Sequence, residues 1–205
     1  MLEVIMDNDY KQKVANFEEE KVNENSIVVL GDSIINYWKT NQFYKNEIIN
    51  RGIAGDTTEG VLKRLDQIIK IKPKIVILNV GTNDLVRLKD HECLDCIVRR
   101  ILKIKYLLEE NILGVKVYVV SLLPVLHNSD KTIKEYLRNR SNEDIDQINE
   151  ELSLFTNLID VNSYLKDLDG NLKYEYTTDG IHLTKEGYKI YSKIIQKHIQ
   201  ELEVL

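Results

Sequence analysis

The chain alternates short, nearly continuous apolar runs with longer amphipathic segments, and this alternation limits the folds open to it. Runs of this length that are rich in valine and isoleucine are typical of parallel strands covered on both faces. The predicted strands are SIVVLG (26–31), EIINRGI (47–53), KIVILNVG (74–81), KVYVVSLLP (116–124) and TNLIDV (156–161). Strands that alternate with helices imply a parallel sheet with right-handed crossovers. We therefore expect an α/β fold with a five-stranded parallel sheet in the flavodoxin-like order 2-1-3-4-5.

The segments between the strands have helical periodicity. They are 57–71, 90–111, 129–155 (charged, and predicted as one broken helix or two) and 185–203, for which Thr184 is a suitable N-cap. No repeat, low-complexity tract or linker interrupts this order. We therefore expect a single domain over residues 1–205, with an N-terminal helical extension at 1–22.

Composition and charge narrow the class of protein. Of the 205 residues, 43% are hydrophobic, which suits a globular fold with a sizeable core. The net charge of −5 disfavours a nucleic-acid partner. No secretory signal is visible at the N-terminus, and no apolar run reaches the roughly 18 residues that span a membrane. We expect a cytoplasmic protein without membrane insertion, and the sequence leaves open whether it forms a homo-oligomer.

Polar clusters follow the predicted strands. Strand 1 ends in GDS (31–33), strand 2 in NRGIAGD (50–56) and strand 3 in GTND (81–84), and TDGIH (178–182) comes after strand 5. In an open parallel sheet the functional crevice lies beyond the carboxyl ends of the strands. We therefore expect all four clusters to meet on one rim of the sheet.

These clusters contain the parts of a nucleophilic site. A serine hydroxyl such as that of Ser33 needs a base to take its proton, and His182 can be that base. Asp179 can accept a hydrogen bond from the other ring nitrogen and stabilise the imidazolium. Attack on an ester carbonyl creates an oxyanion, for which the backbone N–H groups of Ser33 and Gly52 and the side-chain amide of Asn83 are candidate donors.

At this point the residues resemble a known family. VVLGDSI (28–34), NRGIAGDT (50–57), VGTND (80–84) and DGIHLT (179–184) are similar to the four sequence blocks of the SGNH, or GDSL, hydrolases. That family takes its name from residues that match Ser33, Gly52, Asn83 and His182. The resemblance implies a three-layer α/β/α sandwich and serine esterase or lipase-type acyl hydrolysis without a metal or other cofactor. GIAGDT and DGIHLT look closest to the branch that contains the platelet-activating-factor acetylhydrolase catalytic subunits and bacterial relatives.

Other interpretations of the same residues stay open. Gly-Asp-Ser alone is usually a turn, and the role of Asn83 could be simply to cap the next segment. Within the family chemistry, the acyl group could pass to an alcohol other than water, or the substrate could be a thioester. A non-catalytic binding module on the same fold is the alternative from another class. We expect a small-molecule ester with a short, acetyl-type acyl group, because the segment 124–145 is polar and offers no long apolar lid.

The segment HECLDC (91–96) offers a competing site. A C-x-x-C pair can be a redox pair or half of a zinc site. Structural zinc needs about four ligands, and His91 adds only a third to Cys93 and Cys96. We therefore expect Cys93 or Cys96 to pack against the sheet rather than to bind a metal or to act in redox chemistry.

Overall fold

A parallel sheet organises the chain, which the computed structural model describes over residues 2–86 and 93–205, with only the backbone of residues 2–8. The strands of this sheet are β1 (Ile27–Gly31), β2 (Ile48–Gly52), β3 (Ile75–Asn79) and β4 (Lys116–Val119). They are paired in parallel in the order β2-β1-β3-β4. β1 and β3, the central strands, are buried at every position, which explains why their sequences are continuous apolar runs.

The predicted fifth strand is reduced to one rung in the described part of the chain. Ile159 makes a single parallel bridge with Val120, and the N–H of Ser121 donates to Ile159 at 3.0 Å. Beyond that point the N–H groups of Val161 and Asn162 both donate to the Ser121 side chain, at 2.9 and 3.0 Å. This turns the chain away from the sheet, so the four strands lie in the predicted order but a full fifth strand is not confirmed.

Helices connect and cover the strands. They are α1 (Leu2–Glu19), α2 (Ser33–Tyr37), α3 (Thr58–Lys63), α4 (Leu65–Ile71), α5 (Leu94–Asn111), α6 (Lys134–Leu137), α7 (Asn142–Phe155), α8 (Asn162–Leu165) and α9 (Lys185–His198). The helix predicted over 57–71 is broken at Arg64, whose side chain turns inward. The prediction of Thr184 as an N-cap is confirmed, since its side chain accepts a hydrogen bond from the N–H of Gly187.

The core lies on both faces of the sheet. Alternate residues of a strand point to opposite sides. Val28 and Leu30 therefore pack with side chains of α3, α4, α5 and α7, whereas Ile27 and Val29 pack with side chains of α2, α8 and α9. Each such fully buried aliphatic side chain contributes about 1.5–3 kcal/mol relative to an exposed one. The result is a sheet between two helical layers.

The N-terminal helix α1 packs on the body of the protein. The Phe17 ring lies 4.5 Å below the Arg51 guanidinium, and Gln67 donates to the Val14 carbonyl at 3.0 Å. Glu20, just after α1, pairs with Arg51 at 2.6 Å. No helix in the described residues has the length and apolar character needed to cross a membrane.

Candidate active site

Ser33 is positioned by a tight junction between strand and helix. It directly follows β1 and is the first residue of α2, and the Asp32 carboxylate caps this helix by accepting from the N–H of Ile34 at 2.9 Å. The position before them requires glycine, because a Cβ on Gly31 would lie 1.9 Å from the carbonyl oxygen of Asn79. Ser33 therefore stands at the carboxyl end of a central strand.

Helix α9 anchors the short helix that carries Ser33. The Tyr188 hydroxyl donates to the Ile34 carbonyl at 2.8 Å, and the Trp38 indole N–H donates to the Ser192 hydroxyl at 2.9 Å. All four side chains are buried. The serine is thus held on a rigid support rather than on a loose loop.

The segment that contains Asp179 and His182 is a turn built around Gly180. Gly180 has φ +96°, a left-handed conformation that side-chain-bearing residues rarely adopt. One carboxylate oxygen of Asp179, Oδ1, accepts from the N–H groups of Ile181 and His182, at 3.0 and 2.8 Å. The other oxygen, Oδ2, is left to face the His182 ring.

Ser33, His182 and Asp179 form one hydrogen-bonded chain. His182 Nε2 lies 3.0 Å from Ser33 Oγ, and His182 Nδ1 lies 2.6 Å from Asp179 Oδ2. Burial raises the pKa of Asp179, but hydrogen bonds from the His182 ring and from the backbone of His182 and Ile181 outweigh it and lower the pKa overall. A carboxylate that stays ionised only accepts, so Nδ1 carries the ring proton and Nε2 is free to accept from the serine hydroxyl. The arrangement can deprotonate Ser33 and hold the imidazolium that results.

Asn83 lies on the same rim, after β3. Its amide nitrogen donates to the Asp56 carbonyl at 2.8 Å, and its Oδ1 accepts from Arg140 at 2.7 Å. The next residue, Asp84, is buried and accepts from the Thr58 hydroxyl at 2.5 Å and from the Thr58 N–H at 3.0 Å. The loop that presents Asn83 is therefore fixed from both sides.

The structure contradicts the role expected of Gly52. Its N–H already donates to Asn50 Oδ1 at 2.8 Å, so it has no proton left for an oxyanion. Glycine is needed at this position for another reason, because a Cβ would lie 2.2 Å from the backbone nitrogen of Asn36. The expectation failed because the sequence does not show that the Asn50 side chain folds back onto the strand.

Gly55, the second glycine of GIAGD, was missed by the sequence reasoning. It is exposed, has φ +81°, and precedes the residue whose carbonyl holds the Asn83 amide. No hydrogen bond from its N–H to another described residue is found. Its position could have indicated this role in the sequence, because Gly55 lies inside the loop that follows β2, whereas Gly52 is the last residue of the strand.

Two tyrosines border the catalytic histidine candidate. The rings of Tyr37 and Tyr136 meet the His182 ring edge to face, with centroids 5.3 and 5.9 Å away. Both tyrosines are about half exposed, at 48% and 49%. They form walls at the mouth of the site, and no spacing in the sequence relates Tyr136 to His182.

Two buried ionisable groups lie behind the site. Burial raises the pKa of Asp32 to about 7. Burial also lowers the pKa of Arg140 to about 10. Arg140 therefore remains a cation at neutral pH, and it contacts Asn83 directly.

The expectation that Cys93 or Cys96 packs against the sheet is wrong for Cys93. Cys93 and Cys96 are joined in a disulfide at the start of α5, where the Cys93 sulfur also accepts from the N–H of Cys96. Cys93 is exposed, so it does not pack against the sheet. Residues N-terminal to a helix are commonly capping positions, and Cys93 takes this place here. His91 lies outside the described residues.

Comparison with known proteins decides the family. Residues 29–190 match the model of the GDSL-like lipase/acylhydrolase family. The chain belongs to this family. The match contains Ser33, Asn83, Asp179 and His182 and all four sequence blocks apart from Val28, so the resemblance seen in the sequence is confirmed.

The relatives of this chain include proteins named as acetylhydrolase subunits and proteins named as cytidylyltransferases. The platelet-activating factor acetylhydrolase IB subunit alpha2 of Rattus norvegicus is 26% identical over 190 residues, which are 89% of this chain and 79% of that protein. An N-acylneuraminate cytidylyltransferase of Escherichia coli is 28% identical over 198 residues, which are 94% of this chain but only 45% of that enzyme. The chain therefore spans less than half the length of this second relative.

A solved structure supports the fold over nearly the whole chain. A Streptococcus pneumoniae protein described in connection with platelet-activating factor superposes with a TM-score of 0.84 at 27% identity. The superposition covers 96% of this chain and 95% of that one.

Proposed function

We propose that this protein is a serine esterase that hydrolyses esters of short, acetyl-type acyl groups. The observation that carries the proposal is the chain of contacts from Ser33 Oγ to His182 Nε2, at 3.0 Å, and from His182 Nδ1 to Asp179, at 2.6 Å. In a member of an acylhydrolase family, this is the geometry that nucleophilic acyl transfer requires.

The reaction follows from the proton positions. Ser33 Oγ attacks the ester carbonyl while its proton passes to His182 Nε2, and Asp179 stabilises the imidazolium. The tetrahedral intermediate collapses as His182 returns the proton to the leaving alcohol, which leaves an acyl group on Ser33. A water molecule then loses a proton to His182 and attacks the acyl-enzyme, and the acid is released as Ser33 recovers its proton.

The oxyanion would be held by three N–H donors. Ser33 N–H is the first, because the opening N–H groups of a helix have no partner inside the helix. The second amide proton of Asn83 is available, since only one is needed for the bond to Asp56. The Gly55 N–H takes the place expected of Gly52, because it is unpaired among the described residues and adjoins Asp56.

The proposal also specifies the substrate, which consists of an acyl group and the alcohol that carries it. A short acyl group agrees with the word acetylhydrolase in the name of one relative. The exposed faces of Tyr37 and Tyr136 offer flat walls beside His182 for the alcohol part. The likeness to part of an enzyme named for N-acylneuraminate adds acetylated sugar acids to the substrates worth testing.

The decisive experiment measures turnover of p-nitrophenyl acetate by the wild type and by Ser33→Ala. We expect the substitution to abolish turnover and to abolish labelling of the Ser33 peptide by a fluorophosphonate probe. Equal turnover in both proteins would refute the esterase and leave a binding module on the same fold. A series of esters of increasing acyl length, run with acetylated sugars and acetylated sugar acids, then identifies the substrate class. Product analysis with added alcohols separates hydrolysis from acyl transfer.

A further inference from the structure

Arg140 is a buried cation whose contacts converge on the loop that presents Asn83. It is 6% exposed and lies between α6 and α7, in the segment just before the Ser141 N-cap. Its Nε donates to the Thr82 hydroxyl at 3.0 Å, and one Nη donates to Asn83 Oδ1 at 2.7 Å. The other Nη donates to the carbonyls of Tyr136 and Leu137.

Those contacts determine which end of the Asn83 amide faces the reacting carbonyl. A guanidinium has donors and no acceptor, so only Oδ1 can lie against it. The NH₂ group must then lie on the opposite side, where one proton bonds the Asp56 carbonyl. The remaining proton is the one that can meet an oxyanion. With the amide reversed, Oδ1 would face both the Asp56 carbonyl and the developing negative charge.

Burying the charge of Arg140 has a desolvation cost, which is the main reason why its pKa is lowered. Buried charges are normally paired with an opposite charge. Among the described residues the direct hydrogen-bond partners of Arg140 are neutral oxygens of Thr82, Asn83, Tyr136 and Leu137, and the carboxylate that stabilises its charge, Asp32, acts without a hydrogen bond to it. A cation on Oδ1 draws electron density from the amide and makes its N–H protons better donors, since hydrogen bonds in a chain polarise one another.

We propose that Arg140 is a positioning residue that orients and polarises the Asn83 amide for oxyanion stabilisation. The inference rests on the proposed esterase function. Arg140 is buried and contacts neither Ser33 nor His182 directly in this network, so it acts through Asn83 and not on the substrate.

A double-mutant cycle tests this role. Arg140→Met removes the charge and the donors but keeps much of the length of the side chain. We expect it to lower kcat by about 10–100-fold and to change KM by less than about threefold, because the lost interaction acts mainly on charge that develops in the transition state. Arg140→Lys, which keeps the charge but loses the planar fork, should recover part of kcat. On an Asn83→Ala background, Arg140→Met should change kcat by less than about twofold, since the amide it positions is gone.

Arg138→Met is the matched control. Arg138 is exposed two residues away, and its Nε donates to the Glu135 carbonyl at 2.9 Å on the surface. We expect its kcat to stay within about twofold of the wild type, as is usual for surface substitutions away from a site. Circular dichroism and Tm verify folding for every variant.

The inference is overturned if Arg140→Met lowers kcat by the same factor with and without Asn83, or if it leaves kcat unchanged. Should Arg140→Met fail to fold, the same cycle with Arg140→Lys applies the same two criteria. Ser33→Ala is measured on the same ester. If Ser33→Ala is inactive while the cycle is additive, only the role of Arg140 fails; if Ser33→Ala keeps wild-type turnover, the esterase proposal fails as well.

Discussion

Replacing Asp179 by asparagine, which exchanges one carboxylate oxygen for an NH₂ group of similar size, reverses the proton arrangement of the proposed triad. Asp179 Oδ1 accepts from the N–H groups of Ile181 and His182, and an NH₂ group cannot do so. An asparagine at this position therefore keeps its oxygen toward the backbone and turns its NH₂ toward His182 Nδ1. The ring must then accept at Nδ1 and carry its proton on Nε2, where Ser33 needs an acceptor.

The expected loss follows from two contributions. The side chains of Asp179 and His182 are 14% and 23% exposed, so an effective dielectric constant near 20 applies to their interaction. Unit charges spread over a carboxylate and an imidazolium are about 4 Å apart, and at this dielectric constant their Coulomb attraction is about 4 kcal/mol. At 1.36 kcal/mol per factor of ten, the lost charge alone lowers kcat by about 10³-fold. The unfavourable tautomer adds to this, so we expect a loss between about 10³ and 10⁴, the latter being the effect of the equivalent change in serine proteases.

The assay is kcat and kcat/KM on p-nitrophenyl acetate, with folding verified by circular dichroism. Asp179→Ala imposes no tautomer, because water can accept from Nδ1–H, so it should be no less active than Asp179→Asn. His182→Ala should be at least as damaging, and adding Asp179→Asn to it should change almost nothing, since residues that act as one unit are non-additive. A loss below tenfold for Asp179→Asn, or fully multiplicative losses in the double variant, would refute the pairing. A folded Asp179→Ala far less active than Asp179→Asn would refute the tautomer argument.

Three further outcomes follow from the contacts around the site. Asn83→Ala should lower kcat by about 10²–10³-fold while Tm changes little, and a fall in activity that only tracks unfolding would make Asn83 a structural cap. Gly52→Ala should lower Tm and the yield of folded protein, because its Cβ would lie 2.2 Å from the Asn36 nitrogen; wild-type stability would show that the strand can shift. Burial raises the pKa of Asp32 from 3.8 to about 7, so its contribution to stability is fully present below about pH 3.8 and is lost as the pH rises toward 7. The urea-derived free energy of unfolding should therefore fall between about pH 4 and pH 7, and the neutral Asp32→Asn should reduce this fall by an amount on the order of a few kcal/mol. An unchanged slope would assign the fall to other groups.

The central strands were predictable because their burial requires a continuous run of apolar residues, which is visible in the local sequence. The run 26–31 became Ile27–Gly31 and the run 74–81 became Ile75–Asn79, since a strand covered on both faces must be apolar throughout. The fifth strand failed for a reason that local sequence does not contain. Ile159 still bonds the sheet, but the N–H groups of Val161 and Asn162 bond the side chain of Ser121, about 40 residues earlier in the chain.

The candidate site also contains features that the local sequence predicts and features that depend on tertiary contacts. Asp179 and His182 share one turn, so their pairing could be predicted from spacing, and the sheet topology could be expected to bring them to Ser33. Whether a backbone N–H is free depends on a tertiary neighbour. The motif marked Gly52 as an oxyanion donor, but the Asn50 side chain occupies that N–H.

One physical rule connects both halves of the site. Asp179 and Asn83 each have two chemically different tasks, and in each case a neighbour that can only donate fixes which atom is left for the reaction. For Asp179 the donors are two backbone N–H groups in its own turn, so a sequence motif of a few residues contains both the carboxylate and the groups that orient it. For Asn83 the donor is Arg140, 57 residues later in the chain, so no local motif reveals it. Residues that orient the reacting groups are therefore found by asking which partner forbids the reversed orientation of each amide at the site, and which donors occupy one oxygen of each carboxylate.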